Sequence, residues 1–197
     1  MGERSQRSDV ALLKRGINKV SESVVNPTFV VLSGLPGSGK SHLCRQLAGR
    51  VPLLILEADK LRRVLFSHPT YTSGESTRLF QACHLLIEEL LRDGVGVVFD
   101  ATTLSERHRE PLYRIAEKAN AKLVLVRVIC PPEVIRQRLE RRSAGYDSED
   151  NSEADWGIYT RMLSAVEAIR RDHYVVDTSK DTRVVLGRIA RETSNGY

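Results

Sequence analysis

The chain is expected to be an α/β protein built on a parallel sheet. Three observations predict this class. Apolar runs at 28–33, 53–57, 95–100, 122–129 and 174–177 read as strands buried on both faces. The stretches between them carry apolar residues at helical spacing. The first run leads straight into a glycine-rich turn that opens a helix, the connection of a βαβ unit.

In chain order, residues 1–8 are polar and expected to lack regular structure. Within 9–25, Val10, Leu13, Ile17, Val20 and Val24 recur at spacings of three and four, the stripe of an amphipathic helix, which Asn26-Pro27 would end. Residues 1–27 are therefore set apart as an N-terminal extension, packed on the domain or offered to a partner, and 28–197 as one domain.

TFVVLS at 28–33 is the first strand, with a helix at 40–50. LLILE at 53–57 is the second, followed by a short helix at 60–66 and a turn-rich segment, SHPTYTSG, at 67–74. A long helix at 75–92 puts Leu79, Cys83, Leu86 and Leu90 on one face, and Asp93-Gly94 closes it. VGVVFD at 95–100 is the third strand. A charged helix at 111–119 begins on Pro111, which suits a first turn. KLVLVRVI at 122–129 is the fourth strand and precedes a helix at 132–142. SAGYDSEDNSEAD at 143–155 has five acids and no base, the composition of a surface loop. YVVD at 174–177 is the fifth strand, and a helix at 182–192 completes the alternation. Right-handed crossovers make such a sheet parallel.

Composition narrows the function classes. With 197 residues, 41% hydrophobic and 28% charged, the chain suits one globular domain. It has no apolar run of about 18 residues, so no transmembrane helix is expected, and its first residues lack a signal-peptide pattern. A cytoplasmic location is the resulting expectation. Cys44, Cys83 and Cys130 are far apart and read as reduced, buried thiols. The net charge of +5 fits phosphorylated ligands, but no basic run resembles a nucleic-acid tail.

Residues 34–41 read GLPGSGKS and match G-x-x-x-x-G-K-[ST], after a strand and before a helix, the context a P-loop requires. Gly34, Pro36, Gly37, Ser38 and Gly39 would wrap backbone amides around phosphate oxygens. Lys40 would charge-pair with the β- and γ-phosphates of ATP, and Ser41 would ligate Mg²⁺. Asp100, at the end of VGVVFD, suits the second metal-holding position; the alternative is a turn or cap aspartate. Asp59 follows the second strand and so comes to the same sheet edge, where it could orient a hydroxyl and take its proton. Arg62, one turn on, could hold the acceptor. The alternative is a capping aspartate with a surface arginine. Arg138 and Arg142 share a helix face and could form a lid over the transferred group, or be a solvated basic face. Arg107 and Arg109 could reach an acceptor phosphate. The five histidines show no ligand spacing.

Together GLPGSGKS, Asp59-x-x-Arg62, VVFDATT, Arg138-x-x-x-Arg142 and VVDTSKD resemble the P-loop kinases related to polynucleotide kinase and zeta toxin, an AAA-type P-loop kinase domain, over residues 28–193. The resemblance implies a three-layer α/β/α fold with a five-stranded parallel sheet in the order 2-3-1-4-5 and a lid. It implies that Asp59 is the general base, that Arg62 binds the acceptor and that Arg138 and Arg142 are lid arginines. Two positions depart from many relatives: His42 follows Ser41 where they read GKST, and Thr103 replaces the asparagine of DATN. The expected activity is ATP-dependent transfer to a hydroxyl of a small metabolite or nucleotide. The alternatives are a 5′-hydroxyl polynucleotide kinase, with a nucleic-acid end as partner, and a non-catalytic ATP-binding regulatory module. A GTPase is discounted because no NKxD motif follows the P-loop.

Overall fold

Every residue of TFVVLS is buried, so this strand needs cover on both faces, and in the computed structural model it holds the centre of the sheet. The structure describes residues 2–17, 23–143 and 154–194. Along the chain run α1 (Gly2–Arg15), β1 (Thr28–Ser33), α2 (Lys40–Ala48), β2 (Leu54–Glu57), α3 (Ala58–Leu65), α4 (Ser73–Arg92), β3 (Val97–Asp100), α5 (Glu106–Lys118), β4 (Lys122–Ile129), α6 (Pro132–Ser143), α7 (Trp156–Leu163), β5 (Tyr174–Asp177) and α8 (Arg183–Ser194). Among the described residues the strands form one five-stranded parallel sheet in the order β2-β3-β1-β4-β5, the order that the resemblance implies.

Side chains alternate across a strand, and that alternation divides the core. Phe29 and Val31 of β1 pack in one apolar cluster with Leu79, Leu86 and Ile87 of α4 and Leu112 of α5. Val30 and Leu32 pack in the other with Leu43 and Leu47 of α2 and Leu186 and Ile189 of α8. Each fully buried Leu, Val or Phe contributes about 1.5–3 kcal/mol relative to exposure, so the two clusters hold the three layers together. A third, smaller cluster joins Ile135 and Leu139 of α6 to Tyr159 of α7 beside Leu35.

The register brings the strands' C-terminal ends level. Leu32 of β1 and Glu57 of β2 both lie opposite Asp100 of β3, and Asp177 of β5 lies opposite Ile129 of β4. Chain leaving each strand therefore enters one crevice.

Most elements match the sequence reading to within two residues at either end, and four differences stand out. The first helix begins at Gly2, not at residue 9, and ends at Arg15. Gly16 closes it, its amide donating to the Leu13 carbonyl at 2.9 Å. Val20 lies outside the described residues, and Val24 and Val25 lie outside the helix, Val25 being 95% exposed. Leu13 is fully buried and Val10 nearly so, both in the cluster of Phe29, and an ion pair from Asp9 holds the polar turns in place. The α5 helix begins five residues before Pro111, which sits inside it. As the sixth residue of the helix the proline cannot donate to the Arg107 carbonyl, so one intrahelical hydrogen bond is missing there. The α3 helix begins at Ala58, so Asp59 stands inside its first turn and Glu57 occupies the cap position. Finally, the sequence reading has no helix at α7, which Asp155 starts by accepting a hydrogen bond from the Ile158 amide at 2.7 Å. Residues 144–153 of the acidic segment lie outside the described residues.

Candidate active site

Between β1 and α2 the chain makes a turn that admits no side chain at its first position. A Cβ on Gly34 would stand 2.4 Å from the Val128 carbonyl oxygen and 2.9 Å from Ser38 Oγ. Gly37 and Gly39 adopt φ of 74° and 89°, the left-handed region that glycine enters without steric cost. The Ser38 side chain is buried, and its Oγ has no hydrogen-bond partner among the described residues. The turn thus curls its amides toward the start of α2, where the helix adds unpaired N–H groups and a positive dipole end, a natural anion site. Lys40, 8% exposed, donates from Nζ to the Leu35 carbonyl at 2.9 Å across the turn.

Ser41, at the start of α2, and Asp100, at the end of β3, line the same cleft. Burial pushes the Asp100 carboxyl above its ordinary range. Lys40 and the Ser41 hydroxyl pull it back, while the negative charges of Glu57 and Asp59 push it further up. Glu57 is itself buried and paired with Lys60 of α3.

These groups line one cleft of about 740 Å³. Pro36, Gly37, Gly39, Lys40 and Ser41 form its floor, and Glu57, Asp59, Asp100 and Thr102 come from the chain after β2 and β3. Arg138 and Arg142 reach it from α6, Thr178, Lys180 and Asp181 from the connection between β5 and α8, and Arg183 from the first residue of α8. The structure thus gathers Lys40, Ser41, Asp59, Asp100, Arg138 and Arg142 in one place.

Arg138 is tied in closely. Its Nη1 donates to Thr178 Oγ1 and its Nη2 to the Thr178 carbonyl, both at 2.9 Å, and Nη1 also lies 3.4 Å from the Gly37 carbonyl. Thr178 Oγ1 in turn donates to the Ser38 carbonyl at 2.6 Å. Arg142 donates to the Ala154 carbonyl at 2.9 Å. Trp156 and Tyr159 stack with ring centroids 4.6 Å apart beside this helix.

Three arginines named from the sequence lie elsewhere. Arg62 is 6% exposed and donates to Glu75 Oε1 at 2.6 Å and to Ser76 Oγ at 3.3 Å, with its guanidinium 4.7 Å from the centre of the Tyr71 ring. It is not among the residues lining the cleft. Arg107 is exposed on α5 and does not line it either. Arg109 is 1% exposed, and its two terminal nitrogens donate to the carbonyls of Thr103, Glu167 and Ala168 and to Glu106, a structural clamp. Thr103, the departure from the DATN pattern, is also internal: its Oγ1 donates to the Leu32 carbonyl, and its own carbonyl accepts from Ser33 Oγ.

Sequence reasoning gave no site role to Glu57, nor to the run from Thr178 to Arg183, although it singled out VVDTSKD as a motif. Both carried a signal. Glu57 ends an apolar strand as Asp100 does, and the TSKDT run leaves β5 at the same sheet edge. Of the thiols expected to be buried, Cys44 and Cys83 are, and burial pushes the Cys83 thiol up to about 12; Cys130 is half-buried against Leu139 and Tyr159.

Residues 29–169 match a family model described as an AAA domain. Over 91% of the chain it is 23% identical to 6-phosphofructo-2-kinase/fructose-2,6-bisphosphatase 1 of Rattus norvegicus, and it spans only 41% of that relative's length. It is 30% identical to the adenylyl-sulfate kinase of Myxococcus xanthus (strain DK1622) over 54% of this chain and 60% of that one. The fold is similar to that of Chaetomium thermophilum Kti12, solved in complex with ADP-AlF3, with a TM-score of 0.67 at 21% identity over 82% of this chain and 96% of that one. Among the described residues no helix is long and apolar enough to cross a membrane.

Proposed function

The chain belongs to the AAA domain family, and on that premise we propose that it is an ATP-dependent kinase that phosphorylates a hydroxyl of a small metabolite or nucleotide. The observation that carries the proposal is the meeting of Asp59 and the phosphate turn in one cleft. A module that only binds ATP has no use for a carboxylate at that position, whereas transfer to a hydroxyl does. The curated relatives named above are kinases too.

In this reading the amides of residues 34–39, the start of α2 and Lys40 hold the nucleotide phosphates. The Gly34 position, closed to any Cβ, and the unpartnered Ser38 Oγ fit such a cradle. Ser41 and Asp100 offer a hydroxyl and a carboxylate side by side, a donor set that fits Mg²⁺, which takes few protein ligands and keeps phosphate and water oxygens. The metal would neutralise phosphate charge. Asp59 orients the acceptor hydroxyl and takes its proton. The acceptor oxygen forms a bond to the γ-phosphorus, the bond from that phosphorus to the bridging oxygen of ADP breaks, and ADP leaves with the electron pair. Arg138 and Arg142 face charge that spreads over the transferring group.

The test follows labelled γ-phosphate from ATP to a panel of hydroxylated acceptors. Asp59→Asn should lower kcat by about 10²–10⁴ and leave binding of a non-hydrolysable ATP analogue unchanged. Undiminished transfer by that variant would remove Asp59 from the mechanism. Absence of transfer to every acceptor would favour an ATP-binding module.

A further inference from the structure

Thr178 Oγ1 stands where the phosphate turn, α6 and the connection after β5 meet. It accepts from Arg138 Nη1 at 2.9 Å and donates its one hydrogen to the Ser38 carbonyl at 2.6 Å. The backbone of the residue is fixed as well. Its amide donates to the Ile129 carbonyl at 3.0 Å, beside the pairing of Ile129 with Asp177, and its carbonyl accepts from Arg138 Nη2 at 2.9 Å. Asp177 Oδ1 accepts from the Ser179 amide at 3.0 Å and the Ser179 hydroxyl at 2.7 Å, which ties the chain down on either side of Thr178. The residue is therefore a strut from the sheet to the turn.

The strut meets the turn at the peptide between Ser38 and Gly39. A Cβ on Gly39 would stand 3.1 Å from Thr178 Oγ1 and 3.2 Å from Thr178 Cβ and Arg138 Nη1, so both side chains press on this glycine. The peptide is trans, like every other among the described residues. In a planar trans peptide the carbonyl and the following N–H point in opposite directions. A Ser38 carbonyl fastened outward to Thr178 therefore turns the Gly39 N–H inward, toward the space the turn encloses. Amides of such a turn cradle the α- and β-phosphates of a nucleotide, while the γ-phosphate falls to the lysine and to mobile cations.

We infer, on the kinase reading above, that Thr178 is a positioning residue for the nucleotide. Its hydroxyl orients the Gly39 amide and so sets the affinity for the diphosphate portion that ATP and ADP share. That portion is not the reacting centre, and an interaction made equally in the ground state and the transition state shows in KM and not in kcat. The role differs from that of Arg138, which also faces the transferring group, because Thr178 acts through the backbone of the turn alone.

Two measurements on the full chain test the inference. Thr178→Val keeps the branched shape and removes the hydrogen, whereas Thr178→Ser keeps the hydroxyl. In the first measurement each protein is titrated calorimetrically with ADP and with a non-hydrolysable ATP analogue, both with Mg²⁺. Thr178→Val should raise the two Kd values by the same factor, about three- to tenfold, and Thr178→Ser should stay within about twofold of the wild type. An unchanged Kd in Thr178→Val, an equal loss in Thr178→Ser, or a loss confined to the ATP analogue would overturn the inference. The second measurement needs no nucleotide. The Ser38 amide donates to the Leu35 carbonyl at 3.2 Å inside the turn, and its hydrogen exchange, followed by NMR, reads how firmly the turn is held. Thr178→Val should lose protection there and Thr178→Ser should keep it; equal protection in all three proteins would overturn the inference. Lost protection in Thr178→Val, with neither nucleotide bound by the wild type, would count against the kinase reading while upholding the strut.

Discussion

Arg78 on α4 donates two hydrogen bonds to the carboxylate of Asp9 on α1, from Nε at 2.8 Å and from Nη2 at 2.7 Å. Asp9 is 3% exposed, while the Arg78 guanidinium is half-exposed and also lies over Phe66. This pair, together with buried Val10 and Leu13, fastens the N-terminal helix to the main cluster. Arg78→Ala leaves a buried carboxylate without its partner and should cost about 2–3 kcal/mol in urea denaturation. Asp9→Ala removes the charge instead, leaves only an exposed arginine behind and should cost less. Equal effects would mean that the pair does not act as described.

Gly34→Ala should abolish nucleotide binding and destabilise the fold by about 1–3 kcal/mol, because the added Cβ meets the Val128 carbonyl, a backbone atom in β4 that cannot rotate away. Gly74→Ala is the control, since a Cβ there meets nothing within 4 Å. Calorimetric titration with an ATP analogue and thermal melting of both variants check the contrast.

Arg138→Ala should raise the KM for ATP about tenfold or more, by releasing Thr178 and the segment after β5 from the turn at Gly37 and Ser38. Steady-state kinetics at varied ATP read this directly. An unchanged KM would reduce the arginine to a solvated side chain.

Glu75 gives the fold a pH dependence. Burial pulls its carboxyl up, but the Thr70 amide, Arg62, the Thr70 hydroxyl and the Tyr71 amide together hold it down, from 4.5 to about 2. A carboxyl depressed in the folded state stabilises above its unfolded value and loses that contribution as pH falls through the folded one. Stability should therefore decline between about pH 4.5 and 2. Glu75→Gln should be less stable at neutral pH and flatter across that window in denaturant titrations at each pH.

Much of this architecture was legible in the residues because the strands that matter are buried on both faces. The bounds of β1, β4 and β5 follow directly from their apolar runs, and the phosphate turn from GLPGSGKS. What escaped was decided by partners distant in sequence. Nothing local in polar residues 2–8 announces a helix; its second turn is secured by Arg78, 69 residues on. Asp59-x-x-Arg62 puts the two residues on one helical turn, yet Glu75 turns Arg62 away from the cleft. Arg107 and Arg109 look alike in the chain, and only α5 packing separates an exposed side chain from one that clamps three carbonyls. The α7 helix hides behind an acidic stretch, and its cap, Asp155, reads as part of that stretch.

The place of β1 also bears on how the chain is made. This fully buried strand is synthesised before its two neighbours, β3 and β4, which come only after α2, β2, α3 and α4, with α5 between them. At ribosomal speed the wait before β3 appears is on the order of several seconds. During that interval TFVVLS has no sheet to join, and a nascent chain arrested before residue 97 is the form in which this protein is most exposed to aggregation and to chaperones.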